Sequence, residues 1–165
     1  MRVLGIDPGF GRIGFGIVRF ENGCEIYEHS ECFETNPKDI FIERLHTLGQ
    51  KTKELCATWK PDIVAVETLF FENNQKTAMN VAEARGVLIY EAKHSGAQMF
   101  EYTPLQVKMA LTGYGNADKQ QVAFMVGKII SLGISKRIDD ELDALAIALT
   151  HLAYHRPGKA TFPLA

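Results

Sequence analysis

The order of apolar and polar residues over the first 33 positions is typical of β-strands. Residues 2–7 form a short apolar run, residues 13–20 alternate between large and small side chains, and residues 24–33 alternate more weakly. The segments between these runs are short and contain glycine. Because short connections join antiparallel neighbours, this part of the chain is predicted to form a three-stranded antiparallel meander.

The period changes to that of an α-helix after position 39. Six residues over 39–59 fall at steps of four and three, which places them on one helical face: Phe41, Leu45, Leu48, Thr52, Leu55 and Trp59. Pro61 ends this helix, because proline has no amide hydrogen to donate to the preceding turn.

Strands and helices alternate in the rest of the chain. The pattern predicts strands over 62–67 and 97–102, and it predicts helices over 76–94, 104–111, 118–131 and 139–155. Strands that are separated by helices run parallel, since the crossover returns the chain to the same end of the sheet. The sequence therefore predicts an α/β fold in which helices flank a mixed five-stranded sheet. This single domain is expected over 1–155, followed by a tail over 156–165.

Composition is that of an ordinary globular protein. The 165 residues are 46% apolar and 23% charged, which suffices for the core of one domain. No apolar run has the length of a membrane-spanning helix, and the strand-like N-terminus differs from a secretory signal. The three cysteines lack C-x-x-C spacing and are expected to be free thiols in a reducing cytoplasm.

The net charge of −2 averages over an uneven distribution. Residues 21–43 carry seven acidic side chains and one lysine, whereas residues 103–137 carry five basic side chains and one aspartate. On charge alone the simpler interpretation is two solvated faces. The alternative is a protein that holds a polyanion on one side only.

Acidic residues stand where the predicted strands end. Asp7 closes the first apolar run, and Glu67 closes the run over 62–67. If these strands are parallel neighbours, both carboxylates emerge at the edge where open α/β sheets place ligands. Asp140 and Asp143 are three residues apart at the start of the last helix, so they share one helical face. Packing of that helix on the sheet would bring the four carboxylates together.

Four adjacent carboxylates repel one another, and divalent cations remove this conflict. Mg²⁺ takes oxygen ligands, and two such ions are able to promote phosphodiester cleavage. On this interpretation Asp7 is a metal ligand on a rigid strand end. The glycines that follow it (Gly9, Gly11, Gly14 and Gly16) would let a backbone phosphate approach.

Each acid also has a structural explanation when it is taken alone. A strand that ends in Asp-Pro-Gly favours a turn, and Asp139 is a candidate N-cap of the last helix. The spacing also leaves Asp139 with Asp143 as an alternative to the pair of Asp140 with Asp143. His151 and His155 have the spacing of a metal pair but lie too far from Asp143. A surface or capping role is expected for these two histidines.

Five segments in order resemble the RuvC family of Holliday-junction endonucleases. They are LGIDPG, VAVETLFF, EARGVLIYEA, QVKMALTGYGNADKQQV and DDELDALAIALTH, and they extend from Leu4 to His151. GIDPG alone is a weak signal, since sugar-kinase and actin-like ATPases begin with a similar strand and turn. The ordered set is specific.

The resemblance implies a ribonuclease-H-like fold, a homodimer, and cutting of four-way junction DNA by symmetrical paired nicks in recombination and repair. It assigns the catalytic and metal-binding roles to four acids: Asp7, Glu67, Asp140 and Asp143. The implied cofactor is Mg²⁺, two ions per active site, with Mn²⁺ as a substitute. A branch-migration helicase complex is implied as a partner, and no membrane is.

Four other residues match positions at which the family contacts DNA: Phe70, Arg85, Lys108 and Lys119. Phe70, or Phe71 in its place, is expected to stack on an unpaired base at the crossover, a contact worth about 1–3 kcal/mol. The other ring is then expected in the core. The two lysines are expected near the scissile phosphate and the junction backbone. For Arg85 the alternative role is to anchor its own helix.

Other functions are compatible with parts of this pattern. An RNA-directed nuclease would use the same acids on the same fold. An ATPase with GIDPG as its phosphate loop would need a second similar domain, for which 165 residues leave no room. A non-catalytic junction-binding protein is the third candidate, and the presence of all four acids argues against it.

Overall fold

The computed structural model describes residues 1–68, 75–132 and 138–156, and its elements follow the predicted order. The strands in these ranges are β1 (Arg2–Asp7), β2 (Arg12–Glu21), β3 (Cys24–Glu34), β4 (Ile63–Glu67) and β5 (Gln98–Tyr102). The helices are α1 (Phe41–Trp59), α2 (Gln75–His94), α3 (Pro104–Thr112), α4 (Lys119–Ile129) and α5 (Asp139–Tyr154). The type and order of these predicted elements are confirmed.

The strands form one mixed sheet in the order β3-β2-β1-β4-β5. Strands β1, β2 and β3 are antiparallel neighbours, whereas β1, β4 and β5 run parallel. This confirms the α/β, ribonuclease-H-like fold. The meander arises because its connections are too short for a crossover, and the parallel part arises because α1 and α2 intervene.

Helices cover both faces of the sheet. Val3 of β1 packs into a core with α3, α4 and α5, whereas its neighbours Leu4 and Ile6 pack into a second core with α1 and α2. A strand buried on both faces needs a continuous apolar run, which is the pattern that predicted β1. No helix in the described ranges is both long and apolar enough to cross a membrane.

Helix α5 lies directly on β1 and β2 because glycines leave room for its backbone. A Cβ at Gly5 would stand 2.0 Å from the carbonyl oxygen of Ala144, and a Cβ at Gly16 would stand 2.7 Å from the amide nitrogen of Leu145. Real Cβ atoms do not approach other atoms so closely. Any side chain at these two positions would therefore push α5 away from the sheet.

Of the glycines after Asp7, Gly14 and Gly16 serve this packing, whereas Gly9 lies against the Arg12 carbonyl oxygen in its own turn. A Cβ at Gly9 or Gly14 would stand 2.0 Å or 1.9 Å from a carbonyl oxygen of the chain itself. For Gly9, Gly14 and Gly16 these contacts within the chain are a sufficient reason for glycine, and the approach of a phosphate stays a prediction. At Gly11 the space is open, since a Cβ there would meet its nearest described neighbour at 3.9 Å.

His151 is a core residue, so the surface or capping role expected for it is wrong. Its Nδ1 is 2.9 Å from the Tyr102 hydroxyl oxygen, and its ring packs 4.5 Å from Phe100 and 4.8 Å from His155 between centroids. Burial, and secondarily the charge of His155, lower the pKa of His151 to about 4. His155 stands at the C-cap of α5.

Candidate active site

Two carboxylates end neighbouring parallel strands. Asp7 is the last residue of β1, and Glu67 is the last residue of β4. The parallel register pairs Ile6 with Val66, so the two acids follow at the same edge of the sheet. The predicted meeting of these two strand ends is confirmed. Both carboxylates are held on rigid, partly buried backbone.

Helix α5 brings its first turn to the same edge. Asp140 and Asp143 both act on the Asp7 carboxyl, with the larger effect from Asp143. Asp139 is exposed and is the first helical residue, after the N-cap Ile138. The predicted N-cap role of Asp139 is wrong, because the chain enters the helix one residue earlier.

Burial and the repulsion of neighbouring carboxylates raise the pKa of the two strand-end acids. Burial, followed by the charges of Asp143 and Asp140, raises the pKa of Asp7 to about 7. Burial, followed by the charges of Asp7 and Asp143, raises the pKa of Glu67 to about 7. The nearby Lys119 acts in the opposite direction on both groups. A raised pKa at two adjacent carboxyl groups indicates a site whose negative charges are not fully balanced by nearby positive charges.

Two lysines and three of the acids line one cavity of about 340 Å³. Its polar lining is Asp7, Glu67, Lys108, Lys119 and Asp143, and its apolar lining is Pro104, Val107, Val122, Ala146 and Ile147. The Lys119 Nζ atom lies 2.9 Å from Oδ2 of Asp143. This ion pair and the Asp7 charge raise the pKa of Lys119, so the ammonium remains charged. Anionic and cationic groups thus face the same space.

Asp140 lies outside this cavity lining and pairs with a residue that the sequence analysis did not single out. The Arg12 guanidinium nitrogen NH2 lies 3.2 Å from Oδ2 of Asp140, and the Cys32 thiol donates to the same oxygen at 3.7 Å. Burial and the Asp140 charge raise the pKa of Cys32 to about 11, so the thiol keeps its proton. The available signal was the position of Arg12, a basic residue five places after Asp7.

The donor set suits a hard divalent cation. Asp7, Glu67, Asp140 and Asp143 offer oxygen ligands, and their mutual repulsion is the conflict that such a cation relieves. In the described parts of the chain, no three His, Cys, Asp or Glu side chains are arranged closely enough to hold a metal ion as they stand. Binding would therefore require these side chains to draw together.

Arg85 contacts the strand end that carries Glu67. Its Nε donates to the Glu67 carbonyl oxygen at 3.0 Å, and its NH2 pairs with Oε2 of Glu101 at 2.9 Å. The side chain is 17% exposed. This geometry favours the anchoring alternative over the predicted DNA contact, because the guanidinium already ties α2 to the ends of β4 and β5.

The predicted aromatic contact with DNA involves a segment outside the described residues. Phe70 and its alternative Phe71 fall outside the described residues. Stacking of either ring on a base stays a prediction.

The chain is similar over nearly its whole length to proteins of one kind. The family model for crossover junction endodeoxyribonuclease RuvC matches residues 3–151. A protein of that name from Caldicellulosiruptor saccharolyticus is 43% identical over 159 residues, with 92% of each chain covered.

Two solved structures have the same overall arrangement. The structure of Thermus thermophilus RuvC has a TM-score of 0.88 and 38% sequence identity, covering 98% of this chain and 99% of that one. The T. thermophilus RuvC complex with a Holliday junction substrate has a TM-score of 0.89 and 38% identity, covering 96% of both chains.

Proposed function

The chain belongs to the RuvC family of crossover junction endodeoxyribonucleases, and from this membership we propose how its own residues carry out the reaction. It is an endonuclease that resolves four-way (Holliday) junctions in DNA by symmetrical paired nicks, in recombination and repair. The observation that carries the residue assignment is the cavity in which two strand-end carboxyls, an α5 carboxyl and two lysines meet.

Asp7, Glu67, Asp140 and Asp143 are the proposed catalytic residues and metal ligands. As a member of a metal-dependent nuclease family the protein uses a divalent metal, and we assign it as two Mg²⁺ ions with Mn²⁺ as a substitute. Such ions supply activation of a water for attack on phosphorus and stabilisation of the leaving 3′-oxygen. The sheet fixes the backbone of Asp7 and Glu67, so rotation of their side chains is the movement needed to bring both carboxylates onto a cation.

Lys108 and Lys119 are proposed to bind the phosphodiester in the same cavity. Lys119 pairs with Asp143 in the free protein, which keeps the ammonium within reach of the acids. A phosphate that enters the cavity offers this ammonium a second anionic partner. Lysine acts here as a point charge, which orients the phosphate without demanding one hydrogen-bond geometry.

The apolar part of the lining has its own role. Val107, Val122 and Ile147 exclude water from one wall of the cavity. Electrostatic attraction between lysine and phosphate is stronger where water is excluded. Burial of this wall therefore strengthens both the binding of the phosphate and the stabilisation of developing charge.

Phe70 is proposed to stack on an unpaired base near the crossover. A planar ring beside the second catalytic acid would hold the opened strands apart while the phosphate enters the cavity. This contact supplies affinity with little dependence on sequence, since every base has a face on which to stack.

A homodimer is proposed because a junction of approximate two-fold symmetry is cut at two equivalent places. One exposed face of α2 supports it: Met79 and Tyr90 are 69% and 61% exposed there, with Ala82 and Gly86 between them. A Cβ at Gly86 would meet no described heavy atom within 4 Å, so packing within one chain does not require this glycine. Close approach of the same helix from a second copy would require it.

The remaining assignments rest on the family. We propose a cytoplasmic location, a branch-migration helicase complex as partner, and a single nuclease domain over 1–155 with a tail over 156–165. The helicase contact is open to a direct test by co-sedimentation with junction DNA present.

The reaction is tested with a synthetic mobile four-way DNA junction in Mg²⁺ and in EDTA. Wild type should make paired symmetrical nicks in Mg²⁺ only, and Asp7→Asn should bind the junction without nicking it. Asp39→Asn is the matched control, since Asp39 lies in an exposed turn where its carboxylate accepts a hydrogen bond from Asn36. Binding without nicking by wild type in any metal would reveal a non-catalytic protein. Equal cutting of junction, duplex and RNA would overturn the substrate assignment.

A further inference from the structure

Arg12 occupies one oxygen of a proposed metal ligand. Its NH2 lies 3.2 Å from Oδ2 of Asp140, and the Cys32 thiol donates to that same oxygen. The Arg12 side chain is 56% exposed, whereas that of Asp140 is 20% exposed. A mobile cation at the surface therefore covers a carboxylate that is fixed and partly buried.

The two proposed metal ligands on α5, Asp140 and Asp143, each form an ion pair with a basic side chain. Lys119 and Asp143 pair within the cavity lining, whereas Arg12 and Asp140 pair outside that lining. The strand-end acids Asp7 and Glu67 instead have a raised pKa, mainly because they are buried and secondarily because neighbouring carboxylates repel them. Each proposed ligand on α5 thus already has a basic side chain at the distance of an ion pair.

Building on the proposed function, we propose that Arg12 exchanges partners during the reaction cycle. In the free protein Arg12 holds Asp140. When Asp140 turns to a divalent cation, the guanidinium is released and binds a backbone phosphate of the junction. Arg12 is therefore a positioning residue for Asp140 and a phosphate-binding residue in the complex.

Little free energy is needed to release Arg12 from Asp140, and the phosphate offers the guanidinium a good replacement partner. An ion pair with one solvent-exposed partner contributes little to stability, so a divalent cation readily competes with it. Arginine binds phosphate through two parallel hydrogen bonds. A carboxylate that is bound to a metal no longer offers the guanidinium this paired contact. The turn before Arg12 leaves room for the DNA backbone to approach. A Cβ at Gly11 would meet its nearest described atom, on Arg44, only at 3.9 Å.

Coupling between metal and junction follows from this exchange. If metal binding frees Arg12 for phosphate, then phosphate binding to Arg12 must also free Asp140 for metal, by the same factor. Metal should therefore tighten junction binding in wild type through Arg12. Replacing Arg12 should remove this coupling and leave Asp140 open to metal at all times.

The test measures binding rather than turnover. Mn²⁺ binding to DNA-free protein is followed by electron paramagnetic resonance for wild type, Arg12→Gln and Arg12→Lys. Removal of the competing guanidinium should tighten Mn²⁺ binding by about two- to five-fold in Arg12→Gln, with Arg12→Lys between the two. Lys53→Gln is the control for loss of one positive charge on an exposed helix position.

Junction affinity is then measured by fluorescence anisotropy in EDTA and in Ca²⁺, with the strands checked for integrity on a denaturing gel. Wild type and Lys53→Gln should bind more tightly in Ca²⁺, and Arg12→Gln should lose most of that gain. Unchanged or weaker Mn²⁺ binding in Arg12→Gln, or full retention of the Ca²⁺ effect, would overturn the exchange. If wild type itself shows no preference for a junction, the proposed function fails instead.

Discussion

Gly14 lies directly against Asp140, one of the proposed catalytic acids in the first turn of α5: a Cβ at Gly14 would stand 1.9 Å from the carbonyl oxygen of Asp140. Asp7 is paired with Gly14 in the β1–β2 register, so the same contact fixes the height of α5 above Asp7. The lack of a side chain at Gly14 therefore sets the separation between the strand-end acids and the acids of α5.

Gly14→Ala should separate α5 from the sheet and disable the site. Overpacking of a fixed backbone contact costs about 1–3 kcal/mol of unfolding free energy, and displacement of Asp140 and Asp143 should abolish cleavage. Urea denaturation and junction cleavage measure the two effects. Gly127→Ala is the control, because a Cβ there would meet no described heavy atom within 4 Å. That helix substitution should stabilise the protein by up to about 1 kcal/mol. Equal behaviour of the two variants would contradict the packing argument.

Periodicity was sufficient to predict the sheet and the helices, and strand ends were sufficient to bring Asp7 and Glu67 together. These features depend on neighbours within one element or on the rule for parallel crossovers. The pairing of Arg12 with Asp140 and the role of Gly14 depend on contacts between residues more than 100 positions apart, as does the Cys32–Asp140 contact, with a separation of 108. No local pattern carries such information.

Burial of His151 was missed for a related reason. An i, i+4 pair of histidines has the same local pattern whether its face is exposed or covered. The partners that cover it, Phe100 and Tyr102, come from β5, and only the docking of α5 on the sheet brings them near. The sequence therefore predicted the helix but not which face of its last turns is inside.

The metal-free protein should lose stability as the pH rises from 5 to 8. The folded-state pKa of Asp7 and Glu67 is about 7, above ordinary carboxyl values, so the folded state binds more protons than the unfolded state in this range. Asp7→Asn removes one of these charges. In EDTA it should raise the thermal midpoint at pH 8 and have a smaller effect at pH 5, where Asp7 is already protonated. A lower midpoint at pH 8 would show that the Asp7 charge is stabilising.

His151 should act in the opposite direction at lower pH. Its folded-state pKa of about 4 lies below the ordinary value of 6.5, so the unfolded state binds the proton more readily between these values. By linkage, His151 should cost wild type about 2 kcal/mol of unfolding free energy on going from pH 7 to pH 5. His151→Gln should remove that cost, and chemical denaturation at both pH values measures it. His155→Gln, at the partly exposed C-cap, should keep most of the cost. If the unfolding free energy of His151→Gln depends on pH as that of wild type does, this account is contradicted.

Gly86→Arg should break the proposed dimer without unfolding the chain. The position is exposed on α2 and open to a side chain within one protomer, yet an arginine would keep a second copy of the helix at a distance. Sedimentation equilibrium should show a monomer whose circular dichroism matches that of wild type. Gly127→Arg, a matched substitution on α4, should remain dimeric. If Gly86→Arg is dimeric as well, the dimer uses another surface.

Arg85 offers a direct choice between its two roles. Its guanidinium binds the Glu67 carbonyl oxygen and the Glu101 carboxylate, so Arg85→Ala should loosen the strand end that carries Glu67. Losses of about 10- to 100-fold are typical when a group that orients a metal ligand is removed, and cleavage should fall by that factor. Junction affinity and its salt dependence should be nearly unchanged, because no phosphate contact is lost.

Lys108→Gln is the matched comparison for Arg85→Ala. Lys108 lines the cavity itself, so its loss should weaken junction binding and reduce the slope of log affinity against log salt by about one. Both slopes are measured by anisotropy in EDTA, where no cleavage occurs. A reduced slope in Arg85→Ala would mean that the guanidinium leaves Glu67 and contacts DNA in the complex. An unchanged slope with impaired cleavage would establish Arg85 as the residue that positions Glu67.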